Sequence, residues 1–124
     1  MIEQKAAVGV LSALAHEARL SVLRLLLKAG PEGLAAGDIS RRLGIPPTAL
    51  SFHLSRLRQA GLVRGRRSGR QIRYLADFVA LRDLTAFLSD QCCEESGFDC
   101  SDDCPPRPAA ADRKRARKRR AVGS

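Results

Sequence analysis

Thr48-Ala49-Leu50-Ser51-Phe52-His53-Leu54-Ser55-Arg56-Leu57-Arg58-Gln59-Ala60, stopped by Gly61, is the stretch on which the fold turns. Leu50, Leu54 and Leu57 recur at i, i+4 and i+7, the spacing of one buried helical face. Thr48, Ser51, Phe52, Ser55 and Arg56 then project from the remaining faces, with short polar groups at the front and cations further along. Pro46-Pro47 directly before it suits an extended approach and a first helical position, where a missing N–H is no loss. Just upstream, Gly37-Asp38 through Gly44 predicts a short helix with Ile39 and Leu43 inward. Just downstream, Leu62-Val63-Arg64 and Gln71-Ile72-Arg73-Tyr74 read as strands around Arg67-Ser68-Gly69-Arg70, a hairpin with cations along it. Two short helices, a tight turn and a basic hairpin make a winged helix-turn-helix, mainly α with a small β-hairpin wing. The helix-turn-helix pattern alone is unspecific; the glycine-tipped basic hairpin right behind it makes this instance specific.

Further out, an opening helix is expected from Ile2 to Leu14, with Val10, Leu11 and Leu14 at helical spacing. His16-Glu17 interrupts it, and a second helix follows with Leu20, Leu23 and Leu27 as its stripe. Gly30-Pro31-Glu32-Gly33 is a turn, because proline cannot continue the helix that glycine ends. A last helix from about Asp77 to Asp90 carries Val79, Leu84, Phe87 and Leu88 on an apolar band. The Cys/Asp/Glu-rich and then Pro/Arg-rich sequence beyond it has no apolar period. The expected organisation is therefore a dimerisation and DNA-binding domain over residues 1–91, a cysteine-rich segment over 92–104 and a basic disordered tail over 105–124.

Bulk properties agree. The 124 residues are 44% hydrophobic but only 4% aromatic, without Trp, which favours a Leu/Ala/Val helical core over a β-sandwich. A core this small is marginal alone, so a homodimer is expected. The net charge of +9 is unevenly spread: Ile39 to Ala76 holds nine Arg and no acid, and residues 77–104 hold eight acids against one Arg. A basic middle without acids points to phosphate. No leader pattern is evident, and the apolar runs are far too short to span a bilayer, so a cytoplasmic location without a membrane partner is expected.

On double-stranded DNA, Thr48, Ser51 and Ser55 suit base edges or phosphates, and Phe52 suits a thymine methyl. Arg56 suits a phosphate, and Arg66, Arg67 and Arg70 suit backbone or minor groove beside the helix. His53 reads as packed or phosphate-touching, and His16 as the residue that starts the second helix. Two other function classes stand beside this one. A sequence-indifferent nucleic-acid coat would work through the Arg113–Arg120 run. An enzyme would use Cys92, Cys93, Cys100 and Cys104, but both histidines are far away in sequence and the thiols are flanked by carboxylates instead of a partnering base. The expectation is no enzyme.

The run Leu14-Ala15-His16-Glu17-Ala18-Arg19-Leu20, then Asp38-Ile39 to Leu43-Gly44, Ser51-Phe52-His53-Leu54 with Leu57, and Ala60-Gly61-Leu62-Val63 resembles the ArsR/SmtB family of bacterial repressors. Gly69-Arg70 and Tyr74 fit the same pattern, and the resemblance covers residues 4–91. It implies a homodimer built on the first and last helices, bound to an inverted-repeat operator and released by a metal ion. Pro46-Pro47 departs from the polar helix cap common in the family. Of the family's inducer sites, the third-helix thiolates have no cysteine near Ala35-Ala36-Gly37 here, and the last-helix zinc site has no His. Cys92-Cys93, Cys100 and Cys104 resemble the arsenite- and antimonite-responsive branch. That implies trivalent arsenic or antimony held by Cys92, Cys93 and Cys100, with Cys104 as an alternative third ligand. Soft three-thiolate chemistry agrees with that branch. A soft divalent ion (cadmium, lead, mercury, zinc) and thiol oxidation stand beside it, although adjacent Cys92-Cys93 is a poor first pair for tetrahedral zinc.

Overall fold

The computed structural model describes residues 2–92, 94 and 95. Cys93, Cys100 and Cys104, and with them most of the cysteine-rich segment and the whole basic tail, lie outside the described residues. Residues 2–81 form one compact unit, and a second begins at Arg82.

In the first unit the order is α1 (Gln4–Leu14), α2 (Glu17–Ala29), a 3₁₀ turn (Gly30–Glu32), β1 (Leu34–Ala35), α3 (Ala36–Leu43), α4 (Pro47–Gln59), β2 (Val63–Ser68) and β3 (Gln71–Ala76). Helix α1 starts two residues later than the apolar pattern suggested, and its buried residues are Ala7 and Val10. The break before α2 is made by His16, extended at φ −157° and ψ 124°, whose Nδ1 accepts the Ala18 N–H at 3.2 Å. It caps one of the donors that a helix start leaves unpaired. The inward stripe of α2 differs from the expected one: Val22, Leu23 and Leu26 are buried and Leu20 is 43% exposed. The helix is turned by about a residue because it packs on α3, α4 and β3 together, a direction that spacing within α2 cannot reveal.

Helix α3 ends as glycine permits, with Gly44 at φ 65°. Pro46 precedes α4 in extended geometry (φ −58°, ψ 144°) and Pro47 occupies its first turn. The expected stripe of α4 holds: Leu50, Leu54 and Leu57 are at most 3% exposed. Each such leucine contributes about 1.5–3 kcal/mol through burial, and they meet Val22, Leu23, Leu26, Ile39 and Leu62 in one core.

The hairpin is longer than its sequence pattern. Val63 pairs with Ala76, Gly65 with Tyr74, Arg67 with Ile72 and Ser68 with Gln71, leaving only Gly69-Arg70 as the turn. Arg67 and Ser68, expected in the loop, are strand residues. A two-residue turn with Gly69 at φ 63° lets pairing run to its edge. A third strand, not anticipated, is β1, which pairs antiparallel with β3 (Leu34 with Tyr74, Ala35 with Arg73) and gives the sheet order β1-β3-β2.

Helix α5 (Phe78–Ser89) opens in the first unit, where the Asp77 carboxylate accepts the Ala80 N–H at 3.0 Å. In the second unit Leu84 is its buried residue and Leu88 is 60% exposed. Among the described residues no single helix is long and apolar enough to cross a membrane.

Candidate nucleic-acid interface

At about 100° per residue, Ser51, Ser55, Thr48, Phe52 and Arg56 fall within one arc of roughly 140° on α4, opposite Leu50, Leu54 and Leu57. The structure leaves all five exposed. Two are linked: the Arg56 guanidinium carbon lies 5.4 Å from the centre of the Phe52 ring. Arg56 is one turn beyond Phe52, and the cation over the ring face is electrostatically favourable. An apolar ring and a charge are thus presented as one unit, with Phe52 55% exposed.

Arg66, Arg67 and Arg70 are exposed on the wing as expected. Strand alternation separates them, however. Arg66 shares a face with Arg64 and, across the pair, Arg73; Arg67 shares the other face with Ile72, Gly65 and Tyr74. A methyl on Gly65 would lie 3.8 Å from the Arg58 guanidinium carbon, so the Arg67 face is the one turned toward α4. Arg66 and Arg67 therefore leave opposite faces of the hairpin. Arg73 is committed to the fold: its Nε donates to the Glu32 carbonyl at 2.8 Å and Nη2 to the Gly33 carbonyl at 2.9 Å. Nothing in the local sequence separates this structural arginine from its neighbours.

Beneath the exposed arc lies a polar group in the core. His53 is 8% exposed, its Nδ1 has no hydrogen-bond partner, and its ring centre is 4.8 Å from that of His16. Its pKa is lowered by burial, then by the facing His16 and Arg19. The Arg19 charge is held in place by its Nε donating to the Ala13 carbonyl at 2.7 Å. Of the two expectations for His53, packed or phosphate-touching, the structure shows the packed one, but its pairing with His16 joins residues 37 positions apart and has no local signal. The sign of the pH effect follows from linkage. The unfolded chain takes up a proton near the ordinary His value of 6.5, whereas the folded chain takes it up only at lower pH. Stability is therefore retained above about pH 6.5 and lost as pH falls through the folded value. Thermal melts from pH 8 to 5 should show a fall in Tm below about 6.5 that is reduced in His53→Asn. An equal fall in both proteins would assign it to other groups.

Cys92 is the candidate inducer ligand among the described residues. It is exposed just past α5, where its N–H donates to the Ser89 carbonyl at 3.2 Å. Among the described residues no group of three or more His, Cys, Asp or Glu is placed to hold a metal ion. The three-cysteine arrangement expected from the sequence rests on residues outside that set.

Comparisons with known proteins bear on the whole interface. A family described as "Helix-turn-helix domain" matches residues 14–66. The HTH-type transcriptional regulator YgaV of Escherichia coli is 35% identical over 87 residues, covering 70% of this chain and 86% of that protein. The nodulation protein NolR of Rhizobium meliloti is 39% identical over 84 residues, covering 68% of this chain and 66% of NolR. A putative arsenical resistance operon repressor of Halobacterium salinarum is 44% identical over 70 residues, covering 56% of this chain and 54% of that protein. The chain thus spans about two thirds of NolR and about half of the halobacterial protein. Among solved structures, an ArsR-like transcriptional regulator from Rhodococcus sp. RHA1 superimposes with a TM-score of 0.66 at 29% identity, covering 74% of this chain and 84% of that one. The AntR antimony-specific transcriptional repressor does so with a TM-score of 0.52 at 32% identity, covering 72% and 78%.

Proposed function

This chain belongs to the ArsR/SmtB family of winged helix-turn-helix transcriptional regulators, and on that premise we propose that it is a homodimeric, cytoplasmic repressor that leaves its operator when trivalent arsenic or antimony binds its C-terminal cysteines. The family is one of DNA-binding regulators, not of enzymes. The observation that carries the DNA reading is the single exposed arc of Thr48, Ser51, Phe52, Ser55 and Arg56 beside an acid-free wing. Short polar side chains at the front of α4 read base edges, and Arg67 and Arg70 hold backbone.

Exposed apolar surface supports the dimer. Val8 and Leu11 on α1 are 59% and 42% exposed, and Val79 on α5 is 63% exposed. A second copy would remove them from water, and the two recognition helices would then address an inverted repeat. Support for the inducer is chemical: four cysteines within thirteen residues, two of them adjacent, suit a soft three-coordinate ion. The halobacterial relative and AntR, named for arsenical resistance and antimony, support the same reading. NolR, by contrast, is named for nodulation and not for a metal or metalloid.

The test is release of the full-length protein from a duplex of its own upstream region, titrated in turn with arsenite, antimonite, cadmium and zinc. Arsenite or antimonite is expected to release it at the lowest concentration. Release by cadmium or zinc alone would overturn the inducer assignment, and equal affinity for operator and random duplex would overturn the repressor reading. In the same assay Thr48→Ala and Ser51→Ala are expected to lose sequence discrimination. Arg67→Ala and Arg70→Ala should weaken all duplexes and make the salt dependence shallower, by about one unit of slope each.

A further inference from the structure

Beside the recognition helix lies a feature that the reading of α4 and the wing does not use. Two adjoining grooves, of about 310 and 410 Å³, share Ala36, Gly37, Arg41 and Tyr74 as lining residues. Together they form one trough. It starts at Pro47 and Ser51 on the front of α4, passes the first turn of α3 and ends at Arg70 and Gln71 on the wing. Its cations are Arg41 and Arg70, both exposed. Its acid is Asp38, whose carboxylate is ion-paired with Arg41 one turn along α3. The Arg41 guanidinium folds back over that turn, with Nη1 3.6 Å from where a methyl on Gly37 would stand.

Resting on the DNA-binding reading above, we propose that this trough seats the sugar-phosphate backbone of the bound duplex between α4 and the wing. Arg41 is its phosphate ligand, and Asp38 is a brake that Arg41 must leave before it can bind. The trough joins an element suited to the major groove with one suited to the adjacent backbone, and a DNA strand passing from one to the other is continuous. The charge fits: Asp38 is the single acid among the trough's lining residues, and the sequence from Ile39 to Ala76, which supplies Arg41 and Arg70, has none. The Asp38–Arg41 pair is open to solvent, with side-chain exposures of 38% and 73%. Exposed pairs of this kind are weak, whereas a phosphate offers guanidinium two parallel hydrogen bonds. Exchange of carboxylate for phosphate is therefore favourable, and the carboxylate left behind repels the same backbone.

The experiment measures affinity and its salt dependence for the full chain on a duplex of its own upstream region and on a random duplex of equal length. Arg41→Ala should weaken both about tenfold and reduce the salt slope by about one, while Arg41→Lys should keep the slope. Asp38→Asn should tighten both about three- to tenfold. That gain should vanish in the Arg41→Ala background, because the two residues act through one contact. Arg42→Ala, exposed on the same helix but outside the trough, should change affinity less than twofold. Wild-type affinity and slope in Arg41→Ala, or no tightening in Asp38→Asn, would overturn the proposal. A wild-type protein that binds neither duplex would overturn the DNA reading itself, which keeps the two failures apart.

Discussion

Gly33→Ala is expected to lower stability by about 3–5 kcal/mol, a large part of the roughly 5–15 kcal/mol that holds a domain of this size. Gly33 sits at φ 66° and ψ −169°, a region that essentially only glycine occupies, and a side chain forced there costs about 1–3 kcal/mol. An added methyl would stand 2.3 Å from the Tyr74 carbonyl oxygen, a backbone atom of the central strand, and 3.0 Å from the Leu75 side chain. Relief requires β1 to move off β3, and the Gly33 carbonyl would then leave Arg73. Losing a hydrogen bond with a charged partner adds about 1.5–3 kcal/mol. Calorimetry should show a Tm drop of more than 10 °C, at about 4–8 °C per kcal/mol. Gly37→Ala is the control, since its methyl meets only Arg41 at an ordinary 3.6 Å. If Gly33→Ala melts like the wild type, the close approach of the 3₁₀ turn to β3 is not a determinant of the fold.

Cys92→Ser and Cys93→Ser are expected to abolish inducer response while leaving operator binding intact, the largest functional effect foreseen for any single substitution. Trivalent arsenic takes three thiolates, and a hydroxyl is a poor substitute for a soft sulfur. Cys92 lies in the turn that follows α5, so the site has one anchored end from which the further sulfurs are recruited. Cys100 closes a shorter loop than Cys104, an advantage of only about 0.4 kcal/mol from (3/2)RT times the logarithm of the length ratio. Cys100→Ser should therefore lose response and Cys104→Ser should keep most of it. The reverse result would move the third ligand to Cys104. For tenfold release, the ion must favour the DNA-incompetent state by about 1.4 kcal/mol over the competent one. Arsenite-triggered dissociation from the operator, followed for each variant, separates these outcomes. Full response in Cys92→Ser would sink the site.

Much of this was legible because it is periodic or local. The stripe of Leu50, Leu54 and Leu57 lies on one helix and needs no partner to be recognised, and it placed Thr48, Ser51, Phe52, Ser55 and Arg56 outside by elimination. Gly44, Pro46-Pro47 and Gly69-Arg70 mark turns through their own backbone chemistry. The acid-free run from Ile39 to Ala76 pointed to phosphate from charge alone. What stayed hidden depends on residues distant in sequence. The inward direction of α2 waits on α3, α4 and β3, so Leu20 lay outside and Val22 and Leu26 inside. Two residues are too few to show alternation, and β1 exists because β3 offers it an edge.

Charge, helical period and the glycine-tipped hairpin pattern, all properties of short stretches, were thus enough to determine a winged helix-turn-helix with a basic surface. Tertiary structure alone decided which like residues do unlike things. Arg73 ties the wing to the turn before β1, Arg67 faces α4, Arg66 faces away, and the local Asp38–Arg41 pair is set at a trough that reaches the wing. The physical reason is that a guanidinium's role depends on the acceptors within its few ångströms of reach. For Arg73 those acceptors come from residues some forty positions earlier in the chain.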